Sequence, residues 1–257
     1  MSRLVKISGV IITYNEERNI GRCLESLKDI CDEIIVVDSF SSDDTERICK
    51  EFDVRFIQNE FKGHIQQKNF AVDQAKNDII LSLDADEALS PELTDSIRWT
   101  KNHWENSAYE FNRHTNYCGQ WIKHCGWYPD TKIRLWDRKI GRWGGINPHD
   151  SVEIQSAIQP IRLKGDLLHY SYYTIEEHIL RSAKYAKISA QALNQMGKKA
   201  SILKMLGSSG FRFIQDYFFR LGFLDGFYGL LICATNSHST FLKYAYLRSL
   251  NKGFPIE

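Results

Sequence analysis

Residues 79–87 read IILSLDADE, an apolar run that ends abruptly in three carboxylates. The run is too short and too uninterrupted for an amphipathic helix, so it predicts a buried strand of a parallel sheet. Side chains two positions apart share a face of a strand, and Asp84 and Asp86 should therefore converge just past its carboxyl end. Two carboxylates about 4 Å apart repel by roughly 4 kcal/mol at an effective dielectric constant of about 20, and a hard divalent cation between them would offset this repulsion. A lone motif of this kind is equally typical of a polar turn with solvated acids.

Other strand-like runs alternate with helical periodicity along the first hundred residues. The predicted strands cover residues 7–13, 34–38 and 54–57, and the helices between them start near Ile20, Asp44 and Ile65. This alternation indicates an α/β fold with a mostly parallel sheet flanked by helices. In such sheets ligands bind beyond the carboxyl ends of the strands. Thr13, Asp38 and Asp84 all lie at such ends, which predicts a shared crevice.

Several classes of protein are disfavoured by what the sequence lacks. It contains neither G-x-G-x-x-G after the first strand nor G-x-x-x-x-G-K-[ST], which argues against a dinucleotide-dependent oxidoreductase and a P-loop enzyme. A phosphatase with a D-x-D nucleophile fits poorly. Such an enzyme is expected to carry the motif on its first strand, with a hydroxyl residue shortly after it, whereas Glu87, Ala88 and Leu89 follow the acids here. The net charge of +1 argues against nucleic-acid binding. The six cysteines form no C-x-x-C pair and no signal peptide precedes the first strand, so we expect a cytoplasmic location.

The strand-end motifs resemble the nucleotide-sugar domain of glycosyltransferase family 2. They are residues 11–16 (IITYNE), 36–39 (VVDS), Gly63 with 67–69 (QKN), and 84–86 (DAD). Later motifs resemble the branch of lipopolysaccharide-core glucosyltransferases that act on heptose: residues 118–121 (CGQW), 126–130 (GWYPD), 168–172 (LHYSY) and 222–226 (GFLDG). The resemblance implies a Rossmann-like, A-type nucleotide-sugar fold and an inverting transfer of a hexose.

The resemblance also implies roles for individual residues in donor binding. The loop that embraces the nucleoside corresponds to Thr13, Tyr14, Asn15 and Glu16. Asp38 matches the acid that hydrogen-bonds uracil, and Lys68 matches a basic residue beside the diphosphate. Asp84 would lie near the ribose and the metal, and Ala85 would belong to the same nucleotide-sugar site. Asp86 would coordinate the metal, Mn²⁺ or Mg²⁺. The alternatives are that Asp38 merely caps the Ser-rich turn after it and that Lys68 is a solvated helix residue.

The transfer also needs a base, because the attacking sugar hydroxyl must lose its proton. Residues 147–152 (NPHDSV) occupy the position where the resembling family carries its catalytic acid. Members of this branch often have His followed by Glu there, so Asp150 is a shorter carboxylate in the same role. Asp130 and Glu153 are the other candidates, and Asp150 could instead cap a turn or pair with an arginine. A late histidine, His169, is a candidate additional metal ligand.

Two aromatic residues are candidates for binding the acceptor. Trp127 and Tyr128 lie between Gly126 and Pro129, which predicts a loop from which their rings could stack on an acceptor sugar. The alternative is that they pack in a core, as most aromatic side chains do.

The last third of the chain differs in character. Thr174 and Glu177 form a capping box that predicts a helix ending near Met196, with Gly197 as its stop. Bulky apolar residues mixed with spaced cations follow over residues 202–221, which predicts amphipathic helices on a membrane surface. The alternatives are a helical cap on the catalytic domain or a homodimer contact. We therefore expect a catalytic domain at 1–172 and a helical extension at 173–257.

These observations favour a metal-assisted, inverting glycosyltransferase with a carboxylate base. The resemblance implies UDP-glucose as the donor and a glycolipid such as lipopolysaccharide core as the acceptor. The enzyme would sit peripherally on the inner face of the cytoplasmic membrane. The alternative is a catalytically silent, membrane-associated module that binds nucleotide sugars.

Overall fold

The computed structural model describes residues 4–146 and 149–256, with only the backbone of Ile146 and His149. The chain divides into two compact units. The first comprises residues 1–114 and 130–170, and the second comprises 115–129 and 171–257. The division thus falls at three places in the chain, whereas the sequence predicted one boundary after residue 172.

The amino-terminal half of the first unit forms the predicted parallel sheet. Its strands are β1 (Ile7–Thr13), β2 (Glu33–Asp38), β3 (Arg55–Gln58) and β4 (Ile79–Asp84). Their order is β3-β2-β1-β4, with every neighbouring pair parallel. The connecting helices are α1 (Ile20–Leu27), α2 (Thr45–Cys49) and α3 (His64–Asp73). The predicted α/β fold class is confirmed.

Five further strands extend the sheet: β5 (Glu87–Leu89), β6 (Ala108–Tyr117), β7 (Gln120–Trp121), β8 (Asp130–Asp137) and β11 (Ile161–Tyr172). Beyond β4 their order is β8-β6-β11-β5, and β7 pairs with β6. The pairs β4–β8, β8–β6, β6–β7 and β11–β5 are antiparallel. The helix α4 (Pro91–Asn102) follows β5, and β9 (Gly141–Ile146) and β10 (His149–Ile154) form a separate antiparallel pair. This antiparallel extension was not among the elements predicted from the sequence.

Both faces of the parallel sheet are buried, which explains its uninterrupted apolar runs. Along β2, Ile34 and Val36 enter the core on one face, whereas Ile35 and Val37 enter the core on the other. Helices α1, α2 and α4 cover the first face, and α3 with the β9–β10 pair covers the second. The helices therefore hold the strand ends, and the side chains on them, in fixed positions.

The carboxyl-terminal part of the second unit is helical. It comprises α5 (Ile175–Gln195), α6 (Ile202–Ile214), a π-helical turn (Gln215–Phe219), a 3₁₀ turn (Gly222–Asp225) and α7 (Gly226–Asn251). The predicted capping box at Thr174 and Glu177 is confirmed, and Gly197 follows the end of α5 with a φ of 70°. No single helix among the described residues is long and apolar enough to cross a membrane. The segments Ile202–Phe219 and Gly222–Asn251, bent by 71° to each other, pass that test as a pair by length and composition alone.

The polar run at residues 236–240 lies inside α7 because it bonds to neighbouring helical segments. Ser237 Oγ donates a hydrogen bond to the carbonyl of Ser209 at 2.8 Å, and Ser239 Oγ donates to the carbonyl of Ser182 at 3.2 Å. Asn236 Nδ2 donates to the buried carboxylate of Asp216 at 3.1 Å. Polar residues that interrupt an apolar sequence thus fix the packing of this unit.

Candidate active site

The carboxyl ends of β1, β2 and β4 are neighbours at one edge of the sheet. The strand register pairs Thr13 with Asp38 and Ile12 with Asp84. This is the edge beyond which parallel α/β sheets bind ligands. Thr13 Oγ1 is buried there and has no hydrogen-bond partner among the described residues, so a polar ligand would satisfy it.

The loop after β1 is tied to the Ser-rich turn after β2. Asn15 has a positive φ of 53°, its N–H donates to Ser41 Oγ, and its Oδ1 accepts from the N–H of Ser42, both at 2.8 Å. The N–H of Glu16 donates to Thr45 Oγ1 at 2.8 Å. Tyr14 in the same loop is 60% exposed. The loop is therefore held at its base and presents an aromatic ring to solvent.

Asp38 has a structural task in this turn. Its carboxylate is buried and accepts hydrogen bonds from the N–H of Ser41, at 2.8 Å, and from the Ser41 hydroxyl. The capping alternative considered from the sequence is therefore observed. A contact from Asp38 to a nucleobase stays a prediction.

Asp84 is the centre of a charged cluster. Its Oδ1 lies 2.8 Å from Lys68 Nζ, and its Oδ2 lies 3.1 Å from a terminal nitrogen of Arg134. Burial raises the pKa of the Asp84 carboxyl, but the two cations outweigh burial and hold the pKa well below its usual range. Lys68 is 5% exposed and is therefore not the solvated residue considered as its alternative.

Sequence reasoning missed the role of three other residues of this cluster. Glu87 is fully buried, lies 2.7 Å from Arg134 and 3.7 Å from Arg113, and accepts a hydrogen bond from the N–H of Asp84 at 3.0 Å. An arginine inside the apolar stretch of β8 was the available signal, because such a charge is rarely buried without a partner.

Trp143 forms a wall of the cluster. Lys68 Nζ lies 4.2 Å from the centre of a Trp143 ring, and the Arg134 guanidinium lies 5.2 Å from it. Asn69 fixes the tryptophan backbone by donating to its carbonyl at 2.8 Å and accepting from its N–H at 3.1 Å. Trp143 Nε1 and Arg134 Nε are buried and without hydrogen-bond partners within the described part of the chain. They are further donors that a polar ligand could satisfy.

Asp150 joins the cluster through Lys68. It lies on β10, and its Oδ2 is 2.7 Å from Lys68 Nζ, so one ammonium group bridges Asp150 and Asp84. Its side chain is 12% exposed. Asn147 and Pro148 of the same predicted motif lie outside the described residues.

The two alternative bases have other surroundings. Asp130 is bound by Arg113 at 2.7 Å and by Lys132 at 2.9 Å. Glu153 is an exposed residue of β10, paired in register with Arg142. Among the three carboxylates considered as the base, Asp150 is the one that shares a cation with Asp84.

Asp86 and His169 form a pair beside this cluster. His169 Nε2 lies 3.2 Å from Asp86 Oδ2, and the N–H of Tyr170 donates to the Asp86 carbonyl at 2.9 Å. Burial raises the pKa of the Asp86 carboxyl, but the adjacent His169 ring outweighs burial and lowers the pKa below its usual range. Ala85 is buried in the core between the two acids of the motif.

This pair fits a divalent metal ion in part. Over residues 4–146 and 149–256, no group of three or more His, Cys, Asp or Glu side chains is arranged to hold a metal. Asp86 and His169 offer one oxygen and one nitrogen donor close together, and Mg²⁺ commonly takes one or two carboxylates plus substrate phosphates. The donor set therefore suits an ion that a diphosphate completes.

The predicted acceptor residues lie in the second unit. Trp127 packs in an aromatic cluster, with ring centres 5.9 Å from both Tyr117 and Tyr172 and 5.6 Å from His178. The packing alternative is thus observed for Trp127. Tyr128 is half-buried and precedes a cis peptide bond to Pro129. Acceptor binding by either residue stays a prediction.

The sequence matches one family of known proteins over more than half of its length. The profile of Glycosyl transferase family 2 matches residues 8–158. An uncharacterized glycosyltransferase of Rickettsia typhi is 35% identical over 257 residues, covering 96% of this chain and 88% of that protein. The lipopolysaccharide core biosynthesis glycosyltransferase LpsC of Rhizobium meliloti is 27% identical and covers 97% and 95%. The structure of glucosyl-3-phosphoglycerate synthase from Mycobacterium tuberculosis with Mn²⁺ and UDP aligns at 25% identity, covers 37% and 38%, and has a TM-score of 0.32.

Proposed function

Because the chain belongs to glycosyltransferase family 2, we propose that it transfers a hexose, with inversion, from a nucleoside diphosphate sugar to a hydroxyl of a glycolipid. The observation that carries this proposal is the bridge from Lys68 to Asp150 and Asp84, at 2.7 and 2.8 Å. It supports Asp150 as the base, because Asp150 shares this cation with Asp84 at the edge of the sheet where the donor would bind. A structural ion pair alone would not require buried, unpartnered donors around it, such as Trp143 Nε1 and Arg134 Nε.

Asp150 is the proposed general base. In the reaction the acceptor oxygen bonds to the anomeric carbon, while the bond from that carbon to the diphosphate oxygen breaks. The electron pair of the broken bond leaves with the diphosphate, and the acceptor proton goes to a carboxylate oxygen of Asp150. Attack from the side opposite the leaving group inverts the anomeric configuration.

Lys68 has two tasks in this proposal. It holds Asp150 and Asp84 in fixed positions before the donor binds, because its ammonium group contacts both carboxylates. A diphosphate entering beside it would compete for the same ammonium group and loosen the contact to Asp150. The carboxylate of Asp150 would then be available to the acceptor hydroxyl when the donor is in place.

Asp86 and His169 would hold the metal ion, Mn²⁺ or Mg²⁺. When bound, such an ion neutralises the developing charge of the diphosphate leaving group. The protein keeps these two side chains 3.2 Å apart. It also fixes the backbone of Asp86, whose carbonyl oxygen accepts a hydrogen bond from the N–H of Tyr170.

The proposed acceptor is lipopolysaccharide core. LpsC, similar over nearly the whole chain, is described as a glycosyltransferase of lipopolysaccharide core biosynthesis. The motifs at residues 126–130 and 222–226 resemble the same branch, and that resemblance implies UDP-glucose as the donor.

Asp150→Asn tests the proposal, with Glu153→Gln as a matched control on the same strand. Loss of a general base lowers turnover by about 10²–10⁴-fold, whereas the exposed Glu153 should be replaceable without loss. The assay measures transfer from UDP-glucose to truncated lipopolysaccharide core. A thermal-shift series with UDP-sugars, with Mn²⁺ or with chelator, checks that both variants still bind donor.

The outcomes separate the proposal from its alternative. Wild-type turnover in Asp150→Asn would remove Asp150 from the mechanism. Stabilisation by UDP-sugars without any transfer, in the wild type as in the variant and across a series of acceptors, would favour the silent binding module. No stabilisation by any UDP-sugar with Mn²⁺ present would contradict both.

A further inference from the structure

One part of the second unit exposes an unusual density of large apolar side chains. Twelve of them lie exposed between positions 202 and 230, whereas the described residues of the whole first unit expose six. Leu203 is 84% exposed, Phe219 77% and Phe227 67%. We call residues 202–230 the apolar corner, because the π-helical and 3₁₀ turns bend the chain there. Exposed apolar patches of this kind mark sites that bind another protein, a membrane or a ligand.

Helix α6 contributes to the corner without supporting a core of its own. None of its residues is buried, although it is strongly amphipathic. Leu206 and Phe211 are 55% and 62% exposed. The helix therefore leaves most of its large apolar side chains at the surface, whereas Phe213 is partly buried against the aromatic core of the unit.

The charges around the corner are of one sign. Residues 198–256 contain eight Lys and Arg residues but two acids, Asp216 and Asp225. Both acids are buried, and Arg212 and Arg220 bind Asp216 at 2.7 and 3.0 Å. The exposed charges of this segment are therefore all positive, and Lys198, Lys199 and Lys204 are among them.

Exposed apolar side chains together with exposed positive charges favour an anionic bilayer over a second copy of the chain as the partner. A second copy of the chain, docked through this segment about a two-fold axis, would bring positively charged segments together and supply no exposed acid from residues 198–256 to offset them. A bilayer with anionic lipids offers an apolar interior for the phenylalanine and leucine side chains and phosphate groups for the lysines. We propose that the apolar corner embeds in the headgroup and acyl boundary of an anionic bilayer. This docking does not depend on the transfer reaction, although it would bring the enzyme to a lipid-anchored acceptor.

The test is vesicle co-sedimentation of the full chain. Vesicles of phosphatidylcholine alone are compared with vesicles that also contain phosphatidylglycerol, at low and high salt. We expect the wild type to bind the anionic vesicles at least about tenfold more tightly, and salt to weaken this preference. Phe219→Ser with Leu224→Ser should lower binding by about tenfold or more, because both apolar side chains are exposed in the protein and the variant can no longer bury them in the bilayer.

Two further variants make the result specific. Leu180→Ser is the matched control, because Leu180 is 63% exposed on α5 but outside the corner, and its binding should equal that of the wild type. Lys198→Glu with Lys199→Glu should abolish the preference for anionic lipid and leave thermal unfolding unchanged. Equal binding of the wild type and the Phe219/Leu224 variant would overturn the proposal. So would a lipid-free dimer, seen by light scattering, that the same variant dissociates.

Discussion

Lys68→Met removes the ammonium group on which the charged cluster depends. Lys68 is 5% exposed and contacts Asp84 and Asp150 at 2.8 and 2.7 Å. Methionine has a similar length and can keep the contact with Trp143, so the substitution removes mainly the charge. Breaking a buried ion pair from one side costs about 3–5 kcal/mol. Because Asp84 keeps Arg134 at 3.1 Å and is 27% exposed, we expect the lower end, about 3 kcal/mol.

The assay is thermal unfolding followed by circular dichroism. For a chain of this size, about 3 kcal/mol corresponds to a fall in Tm of roughly 6–12 °C. Lys50→Met is the control, because Lys50 is 69% exposed in its pair with Glu46 and such pairs contribute about 1 kcal/mol or less. Adding Asp84→Asn to Lys68→Met should recover part of the loss, because an amide needs no cation beside it.

The effect of Lys68→Met should also depend on pH. The pKa of Asp84 is lower in the folded protein than its ordinary value of 3.8, so its pairing stabilises the fold above that value. This stabilisation disappears as the pH falls towards the lower, folded pKa. The gap in Tm between wild type and Lys68→Met should therefore be full at neutral pH and shrink below about pH 4. Equal Tm values for Lys68→Met and Lys50→Met at neutral pH would refute this account of the cluster.

Two further predictions concern other buried charges. Arg134→Met should lower the free energy of unfolding by about 3–5 kcal/mol, because the fully buried Glu87 loses the nearer of its two cations, at 2.7 Å, and keeps only Arg113 at 3.7 Å. Lys132→Met on the same strand should cost less than about 1 kcal/mol. Urea unfolding measures both changes, and similar losses in the two variants would contradict this explanation. Burial and the nearby Arg181 lower the pKa of His178 to about 4 in the folded protein. Between pH 6.5 and 4 the unfolded chain therefore binds more protons at this residue than the folded chain does. The second unit should lose about 2–3 kcal/mol of stability as the pH falls through that range. His178→Gln should flatten this dependence, and an unchanged pH profile in that variant would assign it to other groups.

The parallel half of the fold could be predicted because its signal is local. Strands buried on both faces read as continuous apolar runs, and β2 shows the reason, since Ile35 and Val36 enter different cores. The antiparallel half could not be predicted in the same way. Strand β6 reads AYEFNRHTNY, where buried His114 and Thr115 break the alternation expected of a half-buried strand.

The candidate site divides along the same line. Asp84 and Asp38 could be placed from their positions at strand ends, because the rule depends only on the strand and its direction. The pairing of Glu87 with Arg134 could not, because it joins residues 47 positions apart and no local pattern encodes it. For Asp150 the position came from a resemblance to a family, and its contact with Lys68 required the structure.

The charged cluster changes the reason for expecting a metal ion. From the sequence, a cation was needed to offset the repulsion between Asp84 and Asp86. In the structure Lys68 and Arg134 bind Asp84, and His169 lies against Asp86, so protein groups already offset that repulsion. A metal at Asp86 would therefore serve the diphosphate and not the fold. The effect of a chelator should therefore be measured on donor binding. The unfolding of the donor-free protein depends instead on the ion pairs of Lys68 and Arg134.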